Sequence, residues 1–154
     1  MDVWTHEYNG HSTVLTVDVE VRKAAGSKPK KLTALIDTGC DTTSIYNDIA
    51  IDMGLEKAGE KPMKSATGRW TSPLYYVDLT IGGKIKLDGA IAAFPQKQKT
   101  ADFIIGLDTL SLCDFAVTNT NGRTKVSLAW PTSHDVDFND SLIQIILKKL
   151  KRLH

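Results

Sequence analysis

Hydrophobic and polar residues alternate along two stretches of the chain, which is the pattern of a strand with one buried and one solvent-facing side. The first stretch covers residues 14–21 and the second covers residues 75–81. The apolar positions are Leu15, Val17, Val19 and Val21 in the first, and Tyr75, Val77, Leu79 and Ile81 in the second. Both stretches are therefore predicted to be strands that bury one side.

Short apolar runs separated by turn residues predict further strands around these two. Gly82-Gly83 and Asn121-Gly122 are strong turn signals, and the second one predicts a tight hairpin. The predicted strands cover residues 31–36, 42–45, 61–81 as a hairpin that turns at 66–69, 84–94 with an interruption at Gly89, 103–105, 115–118 and 124–130, with a polar loop at 95–102. Many short strands with frequent turns predict an all-β domain.

Three helices are predicted. The first covers residues 49–53, with Asn47 or Asp48 as its cap and Gly54 as its end, and the second covers residues 108–112. The third is an amphipathic basic helix over residues 139–154, after a linker at 131–138. Its apolar side could pack on its own domain, form a dimer contact or lie on a membrane surface.

Composition narrows the functional classes. The chain has 154 residues, which suits one domain, and a formal net charge of +1, which gives no general attraction to nucleic acid or membrane. No apolar run reaches the length of a transmembrane span, and residues 1–7 do not resemble a signal peptide. Two cysteines, Cys40 and Cys113, predict neither a disulfide framework nor a metal site. We therefore expect reduced thiols, a cytoplasmic location and no cofactor.

One charged residue, Asp37, lies at the end of a predicted buried strand. Asp37 follows the apolar run Ala34-Leu35-Ile36 directly and precedes Thr38-Gly39. A carboxylate at the end of a buried strand is costly unless it is hydrogen-bonded or paired. An Asp-Thr-Gly sequence is also an ordinary surface turn, and this alternative is open for the tripeptide taken alone.

The segment 35–39 resembles the active-site motif of the retropepsin-like aspartic proteases. A second segment, Phe103-Ile104-Ile105-Gly106, resembles the hydrophobic-hydrophobic-Gly element of the same family. The resemblance runs from about residue 12 to about residue 130, and it defines a predicted domain at residues 1–130. It implies a single-lobe closed β-barrel with a hairpin that covers the substrate, called the flap.

The resemblance also implies roles for individual residues. Asp37 would be catalytic, Thr38 would hydrogen-bond across a two-fold axis, and Gly39 would let two such loops approach. The other implied positions are the flap-tip residues Thr67, Gly68 and Arg69, and the structural residues Ile104, Ile105 and Gly106 near the site. Trp70, beside the flap tip, is predicted to pack on the base of the flap rather than on substrate.

The sequence contains one Asp-Thr-Gly. The other candidates, Asp41, Asp108 and Asp114, lack the apolar strand before them and the Thr/Ser-Gly after them. Hydrolysis between two aspartates needs two carboxylates that share one proton. The sequence therefore predicts a homodimeric aspartic endopeptidase that joins Asp37 of two subunits and acts on polypeptides. The alternative is a retropepsin-fold dimer that binds peptides or partners without cleaving them.

Overall fold

The computed structural model describes residues 1–23, 27–65, 68–94, 101–135 and 137. This part of the chain contains ten strands and two short helices. In chain order these are β1 (Asp2–Glu7), β2 (Thr16–Arg22), β3 (Lys30–Ile36), β4 (Ser44–Tyr46), α1 (Asn47–Asp52), β5 (Lys57–Ser65), β6 (Gly68–Ile81), β7 (Ile85–Phe94), β8 (Phe103–Ile105), α2 (Leu107–Leu110), β9 (Asp114–Thr120) and β10 (Arg123–Trp130).

Six of the strands form a closed barrel. They are hydrogen-bonded in the order β2-β3-β8-β4-β7-β6, and β6 pairs with β2 to close the ring, with Val19 opposite Ile81. β5 lies outside the ring and pairs with β6 as a hairpin. The prediction of an all-β, closed-barrel fold is confirmed.

The two alternating stretches supply much of the barrel interior, as predicted. Val17, Val19 and Val21 of β2 are at most 3% exposed, and the alternating residues of β6 are at most 7% exposed. Because neighbouring side chains point to opposite sides of a strand, a shift of one residue would expose this whole set. The hydrophobic pattern therefore fixes the register of the strands.

Helix α1 begins earlier than predicted. Its N-cap is Tyr46, which makes no side-chain capping bond, so neither Asn47 nor Asp48 is the cap. Asp48 instead accepts a hydrogen bond from the Ile49 amide inside the first turn. Gly54 has a φ of +62° just after the helix, as a helix-ending glycine requires.

β7 runs without the predicted interruption at Gly89. This residue pairs with Val77 of β6 inside a continuous antiparallel ladder. A Cβ built on Gly89 would meet no atom within 4 Å, so glycine is not required there by close packing. The prediction of a break was wrong because ladder pairing on β6 holds the strand together across the glycine.

A second sheet of three strands, in the order β1-β10-β9, packs beside the barrel. The turn between β9 and β10 is the predicted Asn121-Gly122, and both residues have positive φ, 54° and 73°. β1 was not predicted as a strand. It pairs with β10, and its Trp4 ring covers Gly82 so closely that a Cβ there would lie 2.1 Å from the indole.

Several predictions fall on residues outside the described part of the chain. These are the flap-tip residue Thr67, most of the loop 95–102, the helix 139–154 and parts of the linker 131–138. Among the residues that the structure describes, no helix combines the length and the apolar character that crossing a membrane would require.

Candidate active site

Two neighbouring parallel strands position the Asp37 loop. Ile36, the last residue of β3, lies opposite Ile105, the last residue of β8. The Asp37 amide continues this ladder by donating to the Ile105 carbonyl at 3.0 Å. Asp37 is therefore fixed at the point where the buried strand ends and the chain turns outward.

The turn itself orients the Asp37 carboxylate. The Gly39 amide donates to Asp37 Oδ1 at 2.9 Å, and the Cys40 amide donates to the Asp37 carbonyl at 3.2 Å. Asp37 is half-buried, whereas Thr38 and Gly39 are exposed. Within the described residues, Asp37 Oδ2 accepts no hydrogen bond, so this oxygen can serve an outside group.

Gly106 brings the second predicted segment against the loop. A Cβ on Gly106 would lie 2.7 Å from the carbonyl carbon of Thr42 and 2.9 Å from the Cys40 carbonyl oxygen, so only glycine fits. The next amide, that of Leu107, donates to the Cys40 carbonyl at 2.8 Å. Ile104 and Ile105 are almost fully buried behind it. The structure thus brings residues 104–106 against the loop that carries Asp37.

A buried hydroxyl locks these two segments together. Thr43 is 1% exposed, and its Oγ1 accepts a hydrogen bond from the Gly106 amide at 3.0 Å. The same hydroxyl donates to Asp108 Oδ1 at 2.6 Å and lies 2.6 Å from Thr109 Oγ1. The Thr43 amide also donates to both oxygens of Asp108, at 2.8 and 3.0 Å. Asp108 therefore supports the loop.

A lysine links the β5–β6 hairpin to the same loop. Lys61 Nζ of β5 donates to Thr42 Oγ1 at 2.6 Å, and that hydroxyl donates to Asp41 Oδ1 at 2.9 Å. Thr42 is 2% exposed. Sequence reasoning overlooked both Thr43 and Lys61. The run of three hydroxyl residues at 42–44, directly before an apolar residue, could have indicated a hydrogen-bonded network beside Asp37, because buried polar groups need partners.

The tip of the hairpin differs from its predicted form. Gly68 and Arg69 are strand residues of β6, paired with Ser65 and Lys64, rather than members of the turn. Both are exposed. The prediction that residues 68 and 69 belong to the turn was wrong because the ladder continues to the pair Ser65 and Gly68, which leaves only residues 66 and 67 between the two strands. Thr67 lies outside the described residues.

Trp70 packs as predicted, on the base of the hairpin. Its ring meets Phe94 of β7 edge-on, with 5.6 Å between ring centroids. Its indole N–H donates to Ser72 Oγ at 2.8 Å, and Ser72 donates to the Ala93 carbonyl at 2.7 Å. These contacts anchor the hairpin on the barrel.

Cys40 lies beside Asp37 and is half-buried. Burial raises the pKa of its thiol most. The backbone of Thr42 partly offsets this rise, and the neighbouring carboxylates of Asp37, Asp41 and Asp108 raise the pKa further. The thiol donates to the Thr42 carbonyl at 3.1 Å. A neutral thiol is a poor nucleophile, which favours a packing role over a redox role.

The chemistry available in the site is that of carboxylates. Among the described residues, no three His, Cys, Asp or Glu side chains come close enough to hold a metal ion. The His6 ring lies against Trp4 and Tyr8, with ring centroids 6.2 and 4.5 Å away. Asp41 and Asp108 bond threonines of the loop. Among the described residues, Asp37 is the carboxylate that ends a barrel strand beside Gly106 and that keeps one oxygen outside the hydrogen bonds of its loop.

No protein-family model matches the chain, and no curated protein sequence matches it. Solved structures do resemble it. A retropepsin-like aspartic protease from Rickettsia conorii superposes with a TM-score of 0.53 and 12% identity, covering 81% of this chain and 92% of that one. The retroviral protease-like domain of Ddi1 from Leishmania major gives a TM-score of 0.46 with 16% identity, covering 82% of this chain and all of that one. A simian foamy virus protease gives 0.44 with 18% identity, covering 63% of this chain and 92% of that one.

The likeness to the rickettsial structure concerns the fold, because identity is too low to carry function with it. It agrees with the closed six-stranded barrel described above. The chain therefore has the retropepsin-like fold.

Proposed function

We propose that this protein is an aspartic endopeptidase that works as a homodimer. The observation that carries the proposal is the placement of Asp37. A half-buried carboxylate stands at the end of a barrel strand, held through one oxygen by the Gly39 amide. The adjoining loops are tied together by Thr43 and Gly106. This arrangement presents the other oxygen in a fixed position.

The incomplete site is the reason for a dimer. Among the described residues, a single subunit places one carboxylate, that of Asp37, at the end of a barrel strand, whereas water activation by aspartates requires two that share a proton. A two-fold axis through the exposed Thr38-Gly39 turn would bring Asp37 of one subunit against Asp37 of its partner. The exposure of this turn supports the proposal, because close approach of two loops needs an open surface there.

In the proposed reaction, the two carboxylates hold one water molecule and one proton between them. The ionised carboxylate takes a proton from the water, whose oxygen attacks the peptide carbonyl carbon. The protonated carboxylate gives its proton to the carbonyl oxygen. Collapse of the tetrahedral intermediate breaks the C–N bond. The carboxylate that took the proton from water gives it to the leaving amine, while one hydroxyl of the intermediate returns its proton to the other carboxylate, so the new C=O forms and the dyad again holds one proton.

The β5–β6 hairpin takes the place of a substrate cover in this proposal. Lys61 and Trp70 fasten its base to the active-site loop and to the barrel. Gly68 and Arg69 lie near the tip, where a bound polypeptide would pass and could pair with the backbone as an added strand.

Both described thiols, Cys40 and Cys113, are free, which supports a reducing compartment such as the cytoplasm.

The test compares the wild-type protein with Asp37→Asn on a complex peptide mixture between about pH 4 and pH 7, a range chosen around carboxyl titration. New termini are read by mass spectrometry. Asn is nearly isosteric with Asp and cannot share the proton, so we expect cleavage by the wild type and none by the variant. Asp52→Asn, at a surface residue that pairs with Lys30, is the matched control and should cleave normally.

Equal cleavage by the wild type and Asp37→Asn would show a contaminating protease and remove the proposed role of Asp37. A folded wild-type dimer that cleaves nothing across this pH range would refute the enzyme and leave a peptide-binding module. Cleavage by the wild type and Asp52→Asn alone would establish the activity and its sequence preference together.

A further inference from the structure

Lys61 lies on the inner side of the β5–β6 hairpin. Side chains alternate between the two sides of β5, and the side that holds Lys61 and Met63 is the less exposed one. Met63 is buried, and so is Ser72 of β6, which pairs with Lys61. The ammonium group is therefore directed from the hairpin toward the barrel, and its hydrogen bond to Thr42 places it at the Asp37 loop.

Two hydrogen bonds hold this ammonium group in place. Lys61 Nζ donates to Thr42 Oγ1 at 2.6 Å, and the Thr42 hydroxyl gives its single proton to Asp41 Oδ1 at 2.9 Å. The Asp41 carboxylate lies beyond this hydroxyl and is exposed, so water screens its charge. An ammonium group has three N–H donors. Thr42 takes one of them, which leaves two donors for an outside acceptor.

Lys61 also differs in charge balance from the other lysines of β5. Within the described part of the chain, every ion pair of 4 Å or less joins other residues, and the residues outside that part contain one acidic side chain, Asp140. Lys57 pairs with Glu60, and Lys64 is exposed on the opposite side of the strand. Because Lys61 is half-buried, its charge is less well hydrated than theirs and favours an anionic partner.

We propose that Lys61 is a specificity-determining residue that binds an acidic side chain, Asp or Glu, of the polypeptide substrate. This inference rests on the proposed function, which places the substrate between the hairpin and the Asp37 loop. A substrate carboxylate accepts the remaining donors of Lys61 in a charge-assisted hydrogen bond. Each subunit of a two-fold dimer supplies one Lys61, so an acidic residue is favoured on either side of the cleaved bond.

The length of the loop limits where this acidic residue lies. The Cys40 amide bonds the Asp37 carbonyl, which is the hydrogen bond of a turn whose end Cα atoms lie within about 7 Å. Two further residues lead to Thr42, and each adds at most about 3.8 Å. Thr42 is therefore within about 15 Å of Asp37. An extended peptide advances about 3.3 Å per residue, so the favoured residue lies within about five residues of the cleaved bond.

The experiment uses the full-length protein and two steps. The cleavage sites of the wild type in the peptide mixture are read first. Two synthetic peptides are then built around one preferred site, with Glu or Gln at the favoured position. Their kcat/KM ratio is measured at about pH 6, where Glu is ionised, for the wild type, Lys61→Met, Lys61→Arg and the control Lys64→Met. Each ratio compares two substrates of one protein, so a general loss of activity cancels.

We expect acidic residues to be enriched near the cleaved bonds, and a Glu-over-Gln ratio of about tenfold or more for the wild type and Lys64→Met, as one hydrogen bond between charged groups predicts. Lys61→Arg should keep a preference for Glu because it keeps the charge. Lys61→Met should lower the ratio to about one, because methionine fills similar space without a charge or a donor.

Asp37-dependent cleavage without acidic enrichment, or an equal ratio for the wild type and Lys61→Met, would overturn the inference and leave the proposed function intact. A preference lost in Lys64→Met or in Lys61→Arg as fully as in Lys61→Met would also overturn it, because the charge of Lys61 would then not be what selects. A folded wild type that cleaves nothing would overturn both proposals.

A binding measurement covers the case in which Lys61→Met is too inactive for kinetics. Calorimetry gives the Kd of both peptides for Asp37→Asn and for Asp37→Asn combined with Lys61→Met. We expect the first protein to bind the Glu peptide about tenfold more tightly than the Gln peptide and the second to bind both equally. The same preference in both proteins would overturn the inference.

Discussion

Replacing Thr43 with valine would remove one buried hydroxyl and keep the shape of the side chain. In the structure this hydroxyl accepts a hydrogen bond from the Gly106 amide and donates one to the Asp108 carboxylate. Thr43 is 1% exposed, so water cannot replace it without rearrangement of the loop. The substitution therefore tests whether the two halves of the site are held together by this group.

The expected magnitude follows from two losses. A buried amide left without a partner, that of Gly106, costs about 1–3 kcal/mol. The lost bond to a carboxylate would cost about 1.5–3 kcal/mol in full. Asp108 is exposed and keeps its two bonds from the Thr43 amide, so this second loss falls at or below the low end. We expect Thr43→Val to lower the free energy of unfolding by about 2–4 kcal/mol.

Urea unfolding followed by tryptophan fluorescence measures this change, provided that the slope of the transition stays constant. The matched control is Thr43→Ser, which keeps the hydroxyl and loses one methyl group, at a cost of about 1 kcal/mol. A Thr43→Val protein within about 0.5 kcal/mol of the wild type, or a serine variant that is the less stable of the two, would refute the reasoning.

Two further predictions concern the same loop. Lys61→Met removes the hydrogen bond to Thr42, so backbone amides of residues 57–65 should exchange hydrogen about three- to tenfold faster, as the loss of one hydrogen bond predicts. The control variant Lys64→Met, at an exposed site on the same strand, should leave the exchange rates unchanged. Equal effects of both variants would exclude Lys61 as the anchor of the hairpin. The raised pKa of the Cys40 thiol keeps it protonated near neutral pH, so iodoacetamide should modify it more slowly than it modifies a free cysteine at pH 7. The rate of modification should increase as the pH rises through that raised pKa. Modification at pH 7 as fast as that of free cysteine would contradict this prediction.

Local sequence predicted much of the barrel because its strands obey a simple rule. Val19 and Ile81 are buried, and each belongs to a strand in which every second residue is apolar. The Asn121-Gly122 turn likewise requires only residues that accept positive φ. In both cases the information lies within a few neighbouring residues, so the sequence suffices.

β1 escaped prediction because its stability comes from distant partners. Its residues are mostly exposed, and it is held by pairing with β10, more than one hundred residues away. Trp4 packs over Gly82, which belongs to a different sheet's turn. Gly89 shows the reverse case, since a local break signal was overridden by pairing across β6 and β7. Long-range pairing decided both elements.

The candidate site also has some features that neighbouring residues reveal and others that only long-range contacts decide. The sequence by itself singled out Asp37 locally, because a carboxylate that directly follows an apolar run is unusual, and it indicated residues 104–106 only through the resemblance to a known family. Only the tertiary structure decided that Thr43 and Asp108 lock these segments together and that Lys61 ties the hairpin to them. Such hydrogen bonds join groups far apart in the chain, and their partners are chosen by the packing of the barrel rather than by the residues beside them.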